Sequence, residues 1–401
     1  MKTTQRKEYL DLLRGIAMIS IVLGHLAVRS INRVVFTYHL PVFFLITGYF
    51  TREGQPLPSL IRKRARTLLV PYAVSCVIII ILRVLWYGIH GGSGASSEAV
   101  QWILASLYAS GTAELVPAGI ISIGATWFLW TTFWACILLN LVLRIPDKYR
   151  IAAVLGIFLI GYFSARKFML PLGVQPAACS LLYLYIGYLV RRYETTLLAA
   201  DREWKISAFV LAAVVWISFI LHFQGFWIVL CNFGNGAEDI FASLCACLVL
   251  TTLCFWLDRL SGSGQKDLSA VDSAPAPKEI AAPGRFVKEI SFPGRSTKGI
   301  SFPGRPMKGM SFPGRLVKGI AFLGRYSIAM LFVHIIELDV FQYRGLLERL
   351  NGHGMPGSLN LAVMILIKFL IIIPGTVLLV RTKAGRRIFG FPDPEGRAAG
   401  L

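Results

Sequence analysis

Charge is what this chain has least of, and acidic charge above all. Only 15% of its 401 residues are Asp, Glu, Lys or Arg, against about 25% in an ordinary globular protein. A solvated surface of normal size cannot be built from so few charges, so the length does not imply several soluble domains. Its six histidines form no HxxxH or HExxH pattern and no Cys/His cluster, which argues against a metal site. No Gly-rich phosphate loop follows a strand. The seven cysteines are odd in number and lie in or beside apolar segments. They read as small buried hydrophobes, without a disulfide framework or zinc. Nothing alternates as barrel strands would.

What is present is apolar length. Hydrophobic residues make up 55% of the chain and mean hydropathy is +0.64. Many runs approach the roughly 20 residues needed to cross a bilayer. Lipid cannot satisfy free backbone groups, so the expected fold is all-α, a polytopic membrane helical bundle. About ten spans are expected: residues 10–28, 34–50, 67–89, 125–143, 151–163, 176–190, 206–223, 238–257, 320–340 and 359–380. A weaker apolar patch over 100–123 reads as interfacial or re-entrant. The first span follows a basic N-terminus but carries ionisable residues and no small-residue cleavage site, so it is read as part of the mature protein.

The net charge of +20 points to a membrane surface rather than nucleic acid, because of where the cations fall. With the N-terminus in the cytoplasm, every outer loop is less basic than the inner segments flanking it. Both termini are then cytoplasmic. The chain divides into a membrane domain of eight spans (1–257), a basic insert (258–319), two further spans (320–381) and a cytoplasmic tail (382–401). The insert is a tandem ten-residue repeat, AAPGRFVKEI, SFPGRSTKGI, SFPGRPMKGM and SFPGRLVKGI, followed by AFLGRYSIAM, which opens the ninth span. Its Pro and Gly oppose a continuous helix. It could hold the anionic inner leaflet or help capture an anionic donor, but a tolerated loop extension is the simpler reading.

Ionisable groups inside spans are costly and usually face a bundle interior. On the first span Arg14 and His25 stand eleven residues apart. A helix brings them within about 20° of one another, about 16 Å apart along the axis. Asp11, one turn before Arg14, shares that face as structural support. His39, in the second span, should lie at the depth of His25, with Pro41 loosening the helix there. His334 and Glu337, one turn apart on the ninth span, and Trp127, at the outer start of the fourth, fall on the same side. Each also has a packing role open to it: a hydrogen bond within the His334–Glu337 pair, one from Lys368 in the tenth span, or an interfacial anchor for Trp127. Arg14 and the run Arg62, Lys63, Arg64 and Arg66 fall at the inner end, where cations could hold the phosphates of a donor. A neutral imidazole at His25 suits a general base. His90, His222 and His353 receive no role.

The segments DLLRGIAMISIVLGH (11–25), YHLPVFFLITGYF (38–50), IRKRARTLLVPY (61–72), TWFLW (126–130) and FLGRYSIAMLFVH (322–334) together resemble the integral-membrane acyltransferase-3 family. They resemble especially its fucose 4-O-acetylase-like branch. The resemblance implies a ten-span bundle that moves an acyl group, usually acetyl, from cytoplasmic acyl-CoA to a sugar hydroxyl of an envelope or secreted product. It implies a multi-pass protein of the inner or plasma membrane, with acyl-CoA as co-substrate and no bound cofactor. Arg14 and His25 correspond to the family's functional pair. The basic run ahead of Pro71 and Tyr72 corresponds to its donor-side cations, from which Arg62, Arg64 and Arg66 are taken. Thr47 stands where Ser is commoner before Gly48, and the ten-residue repeats are not a family feature. The expected activity is O-acyl transfer, with His39, Trp127, His334 and Glu337 lining the acceptor side. The competing reading from the residues alone is a transporter or flippase using the same polar groups. A third is an inactive membrane sensor.

Overall fold

The computed structural model describes residues 7–89, 94–261, 312–340 and 357–391. Among these the chain is helical, with no strand beyond an isolated bridge between Trp227 and Asn232. Most of the repeat insert and the end of the C-terminal tail lie outside the described residues. Among the described residues, seven helical runs are long and apolar enough to cross a membrane, and an eighth is added if a bent helix pair counts as one span. All ten expected positions are helical. The first, however, is a helix of only 17 residues, and the fifth carries Asp147, Lys148 and Arg150 in its first turn.

The breaks matter more than the count. Helix α1 (Glu8–Gly24) stops four residues earlier than expected, leaving His25 as its C-cap. The second position is two helices, α2 (Arg29–Val35) and α3 (His39–Tyr49), interrupted at Phe36–Tyr38. Pro41 explains the interruption. It has no N–H to donate to Thr37, so the ladder restarts with Val42 donating to the Tyr38 carbonyl, 2.9 Å.

Helix α4 (Leu57–Arg64) runs through a single π turn, Ala65–Leu69, into α5 (Val70–Ile89). The 100–123 patch does not form a helix long enough to be a candidate span. It is the short helix α6 (Ala95–Tyr108) followed by an irregular segment, pinned by hydrogen bonds from Tyr72 to the Ser106 carbonyl, 2.6 Å, and from Tyr108 to the Met169 carbonyl, 2.5 Å. After it come α7 (Trp127–Val142), α8 (Asp147–Ser164), α9 (Val174–Arg192), the short α10 (Glu194–Ala199), α11 (Arg202–Leu221) and α12 (Ala237–Leu260).

The ninth position departs most from expectation. A helix begins inside the fourth repeat rather than at Ile320: α13 (Phe312–Arg325) meets α14 (Ser327–Val340) at a bend of 79°. A proline in a helix's first turn gives up no hydrogen bond, which is why that repeat can be helical. The chain ends with α15 (Gly357–Arg381) and α16 (Lys383–Phe389).

Two helix pairs pack backbone to backbone through glycine. Between α1 and α13, a Cβ on Gly324 would lie 1.8 Å from the Asp11 carbonyl oxygen, and one on Gly15 2.1 Å from that of Ile320. Between α3 and α9, Cβ atoms on Gly48 and Gly187 would fall 1.8 and 2.0 Å from the carbonyl oxygens of Leu184 and Leu45. In lipid no hydrophobic force drives helices together, so close approach through small residues carries the association. Gly187→Val should therefore lower the thermal midpoint of the purified protein sharply or abolish its folded yield. Gly156→Val, at a glycine with open space around it, should leave both near wild type. Equal behaviour of the two variants would refute the close-packing account.

Candidate active site

His25 is positioned by the end of its own helix. At the C-cap of α1 its Nδ1–H donates to the Ile21 carbonyl, 2.8 Å, the same oxygen that accepts the His25 backbone N–H, 3.2 Å. That bond puts the proton on Nδ1 and leaves the Nε2 lone pair available. His25 as a residue is exposed.

Behind His25 stands a chain of fully buried polar groups. His334 Nε2 lies 3.3 Å from His25 Nδ1, with the two rings edge to face at 5.0 Å. His334 Nδ1–H donates to Glu337 Oε2, 2.9 Å, and Lys368 Nζ donates to Glu337 Oε1, also 2.9 Å. Only 0% of His334, 2% of Glu337 and 1% of Lys368 is exposed. The carboxylate orients His334 with Nδ1 protonated, so its Nε2 is an acceptor. The Nδ1–H of His25 is thus shared between that nitrogen and Ile21. The lysine neutralises the carboxylate where no water can. The His334–Glu337 hydrogen bond and the Lys368 contact, foreseen as packing roles, are both present and are continuous with His25.

His25 and His39 open on one cavity of about 130 Å³, with Trp127, Phe36, Phe128 and the loop 226–229 among its walls. His39 repeats the local device of His25: its Nδ1–H donates to the Val35 carbonyl, 2.7 Å, across the gap between α2 and α3. Its ring packs on Phe36, with centroids 5.1 Å apart. Trp127 is buried rather than an exposed interfacial anchor, and Gly111 packs directly against its indole. His334 and Glu337 do not line the cavity, contrary to their expected place on the acceptor wall. They stand behind His25.

The opposite end of the bundle is ionic. Arg14 is half-buried, 3.6 Å from Asp11, with its guanidinium 5.4 Å from the centre of the Phe50 ring. Arg62, Lys63 and Arg66 are exposed, whereas Arg64 turns inward with its Nε buried. Lys7, Tyr49 and Arg191 converge on Glu194. Burial would push the Glu194 carboxyl up, but these hydrogen bonds outweigh it and hold it below its usual range. The hydrogen bond from Arg150 does the same for Glu53.

The aromatic loop 226–229 (FWIV) was not singled out from the sequence. It has no periodicity, and only its position against the cavity reveals it. Lys368 was expected from the sequence as a hydrogen-bond partner of the His334–Glu337 pair, but not as part of a chain continuous with His25.

No curated protein and no solved structure matches the chain. A family model described as an acyltransferase domain, Acyl_transf_3, matches residues 7–274, which include Arg14, His25, His39, Arg62 to Arg66 and Trp127, while His334, Glu337 and Lys368 lie beyond the match. The match covers well over half of the 401 residues, so the chain belongs to the acyltransferase-3 family and is a membrane acyltransferase.

Proposed function

We propose that this enzyme moves an acyl group, in the first instance acetyl, from cytoplasmic acyl-CoA to a hydroxyl of an envelope or secreted carbohydrate. It would act from the inner or plasma membrane as a ten-span protein with both termini in the cytoplasm, and without a resident cofactor. The observation that carries this reading is His25, with a free Nε2 on an aromatic-walled cavity and a buried polar chain behind it.

The step follows from those atoms. The acceptor hydroxyl gives its proton to His25 Nε2 as its oxygen attacks the thioester carbonyl. The C–S bond then breaks, and the imidazolium returns the proton to the departing thiolate. While the ring is cationic, its Nδ1–H still points at Ile21 and His334, and the Glu337 carboxylate lies one imidazole further on. That arrangement stabilises the charged intermediate without taking its proton. His39 Nε2 is free to accept from a second hydroxyl of the acceptor, and Trp127 offers a flat apolar wall for a sugar face. Arg14 lies about 16 Å from His25 along α1, too far to touch the reacting carbonyl. Its role is on the donor's remote, anionic part, with Arg62, Arg64 and Arg66.

His25→Ala should lower transfer at least about a hundredfold with normal expression. Full activity in that variant would dismiss the base assignment. In proteoliposomes, acyl-CoA should be consumed only when acceptor is added. Accumulation of unmodified solute would favour a transporter instead.

The buried chain makes a separate prediction. Lys368→Met removes the cation of a buried ion pair, at a cost of about 3–5 kcal/mol, so the thermal midpoint should fall steeply. Adding Glu337→Gln removes the charge and should restore the midpoint but not the rate. A double variant as active as wild type would show that the chain serves packing alone.

A further inference from the structure

All seven cysteines are buried thiols in the structure, and six of them lie within the helices α5, α7, α9 and α12. Cys231 does not. It ends the short 3-10 turn Ile228–Leu230 in the loop between α11 and α12, and its backbone is left-handed, with φ 50°. That region favours glycine, so a cysteine there is held in place by its surroundings. The same loop supplies Phe226, Trp227, Ile228 and Val229 to the wall of the histidine cavity.

Cys231 meets Cys179, in the second turn of α9. The Cys231 thiol donates to Cys179 Sγ, and the Cys179 thiol donates on to the Phe158 carbonyl of α8, 3.9 Å. Nothing in their spacing pairs the two in the sequence; the fold does. Side chains that touch through their sulfurs already satisfy the demand that the Cβ vectors of a disulfide point toward one another. No other two cysteines offer this. Cys245 and Cys247 are two residues apart on α12, which turns them about 200° from one another. The loop itself is otherwise held by its own hydrogen bonds and by aromatic packing. Trp227 and Asn232 exchange backbone bonds of 2.8 and 3.0 Å, and Phe233 packs on Phe158 and Tyr162 of α8, with centroids 5.5 and 6.0 Å apart. The cysteine contact joins it to α9.

We propose that Cys179 and Cys231 are joined by a disulfide in the mature protein, clamping the wall of the histidine cavity to α9. The proposal rests on the orientation given above, which puts this loop and the start of α9 at the outer end of the bundle, where disulfides persist. The oxidant is the disulfide of an envelope thiol oxidase. The Cys231 thiolate attacks one of its sulfurs, forming a mixed disulfide and releasing the other sulfur as a thiolate. Cys179 then displaces the oxidant from Cys231. One S–S bond breaks and one forms, the pair is oxidised, and the oxidant leaves as a dithiol carrying the two protons. The exchange happens before the loop is seated. Once it is seated, Cys179 is 0% and Cys231 2% exposed, and the hydrogen bond to Cys179, with burial, pushes the Cys231 thiol well above its usual range. A thiol in that state is a poor nucleophile, and the same burial shields the finished bond from reductants.

The test counts thiols. Full-length protein purified without reductant is denatured, alkylated with iodoacetamide and weighed by mass spectrometry. Five of the seven cysteines should take the label, rising to all seven after reduction, and digestion should yield a linked peptide pair containing Cys179 and Cys231. Seven adducts without reduction, or a link between any other two cysteines, would overturn the proposal, and this arm needs no variant to fold. Reductant should also lower the thermal midpoint of wild type, and Cys231→Ser should unfold at that lower midpoint with or without reductant. A wild-type midpoint indifferent to reductant would overturn the clamping role. Orientation is read separately. Glu238, exposed just past the loop, is changed to cysteine (Glu238→Cys) in a chain that also carries Cys179→Ser and Cys231→Ser. A membrane-impermeant maleimide should label it on intact cells. Labelling only after permeabilisation would overturn the orientation, whereas labelling from outside with seven free thiols in wild type would overturn the disulfide alone.

Discussion

A carboxylate cannot sit uncompensated among apolar helices, and much of this bundle is arranged around that fact. Glu337 on α14 meets Lys368 on α15 and His334 one turn away, so two helices are fixed to one another by a charge that would otherwise be ruinous. Through His334 the same contact reaches His25 at the end of α1. For α1 to come that close, the backbone beside it must offer no side chain, and Gly324 on α13 and Gly15 on α1 supply the space. The placement of His25 and the packing of α1 against the bent α13–α14 pair are one constraint seen from two ends.

The same constraint explains what was legible in the sequence. Arg14, His25, His334, Glu337 and Lys368 stand out because each is expensive in an apolar run, and expense implies a partner. Helical rise placed His25, His39, Trp127 and His334 at one depth, and the structure brings all four to one place. The division of that group was not legible. His39 and Trp127 face the cavity while His334 and Glu337 stand behind His25, a difference of side-chain direction that depth alone does not encode.

Helix ends were the other blind spot. The early stop of α1 at Gly24 makes His25 a cap, with its ring tied to the Ile21 carbonyl, and hydropathy carries straight past it to Val28. The 79° bend at Tyr326 has no proline to announce it, and the fourth repeat looks like its predecessors although it is helical from Phe312. The break before His39 is different, because Pro41 marks it and the missing N–H accounts for it. Where covalent structure dictates a break, the sequence shows it. Where packing dictates one, only the fold does.

The size of the histidine cavity bears on the proposed reaction. At about 130 Å³ it would admit one hydroxyl-bearing edge of a carbohydrate acceptor between His25 and His39 while the rest stayed outside. Such a slot places no upper limit on the acceptor, and selectivity falls to the aromatic rim, Phe36, Trp127 and Trp227.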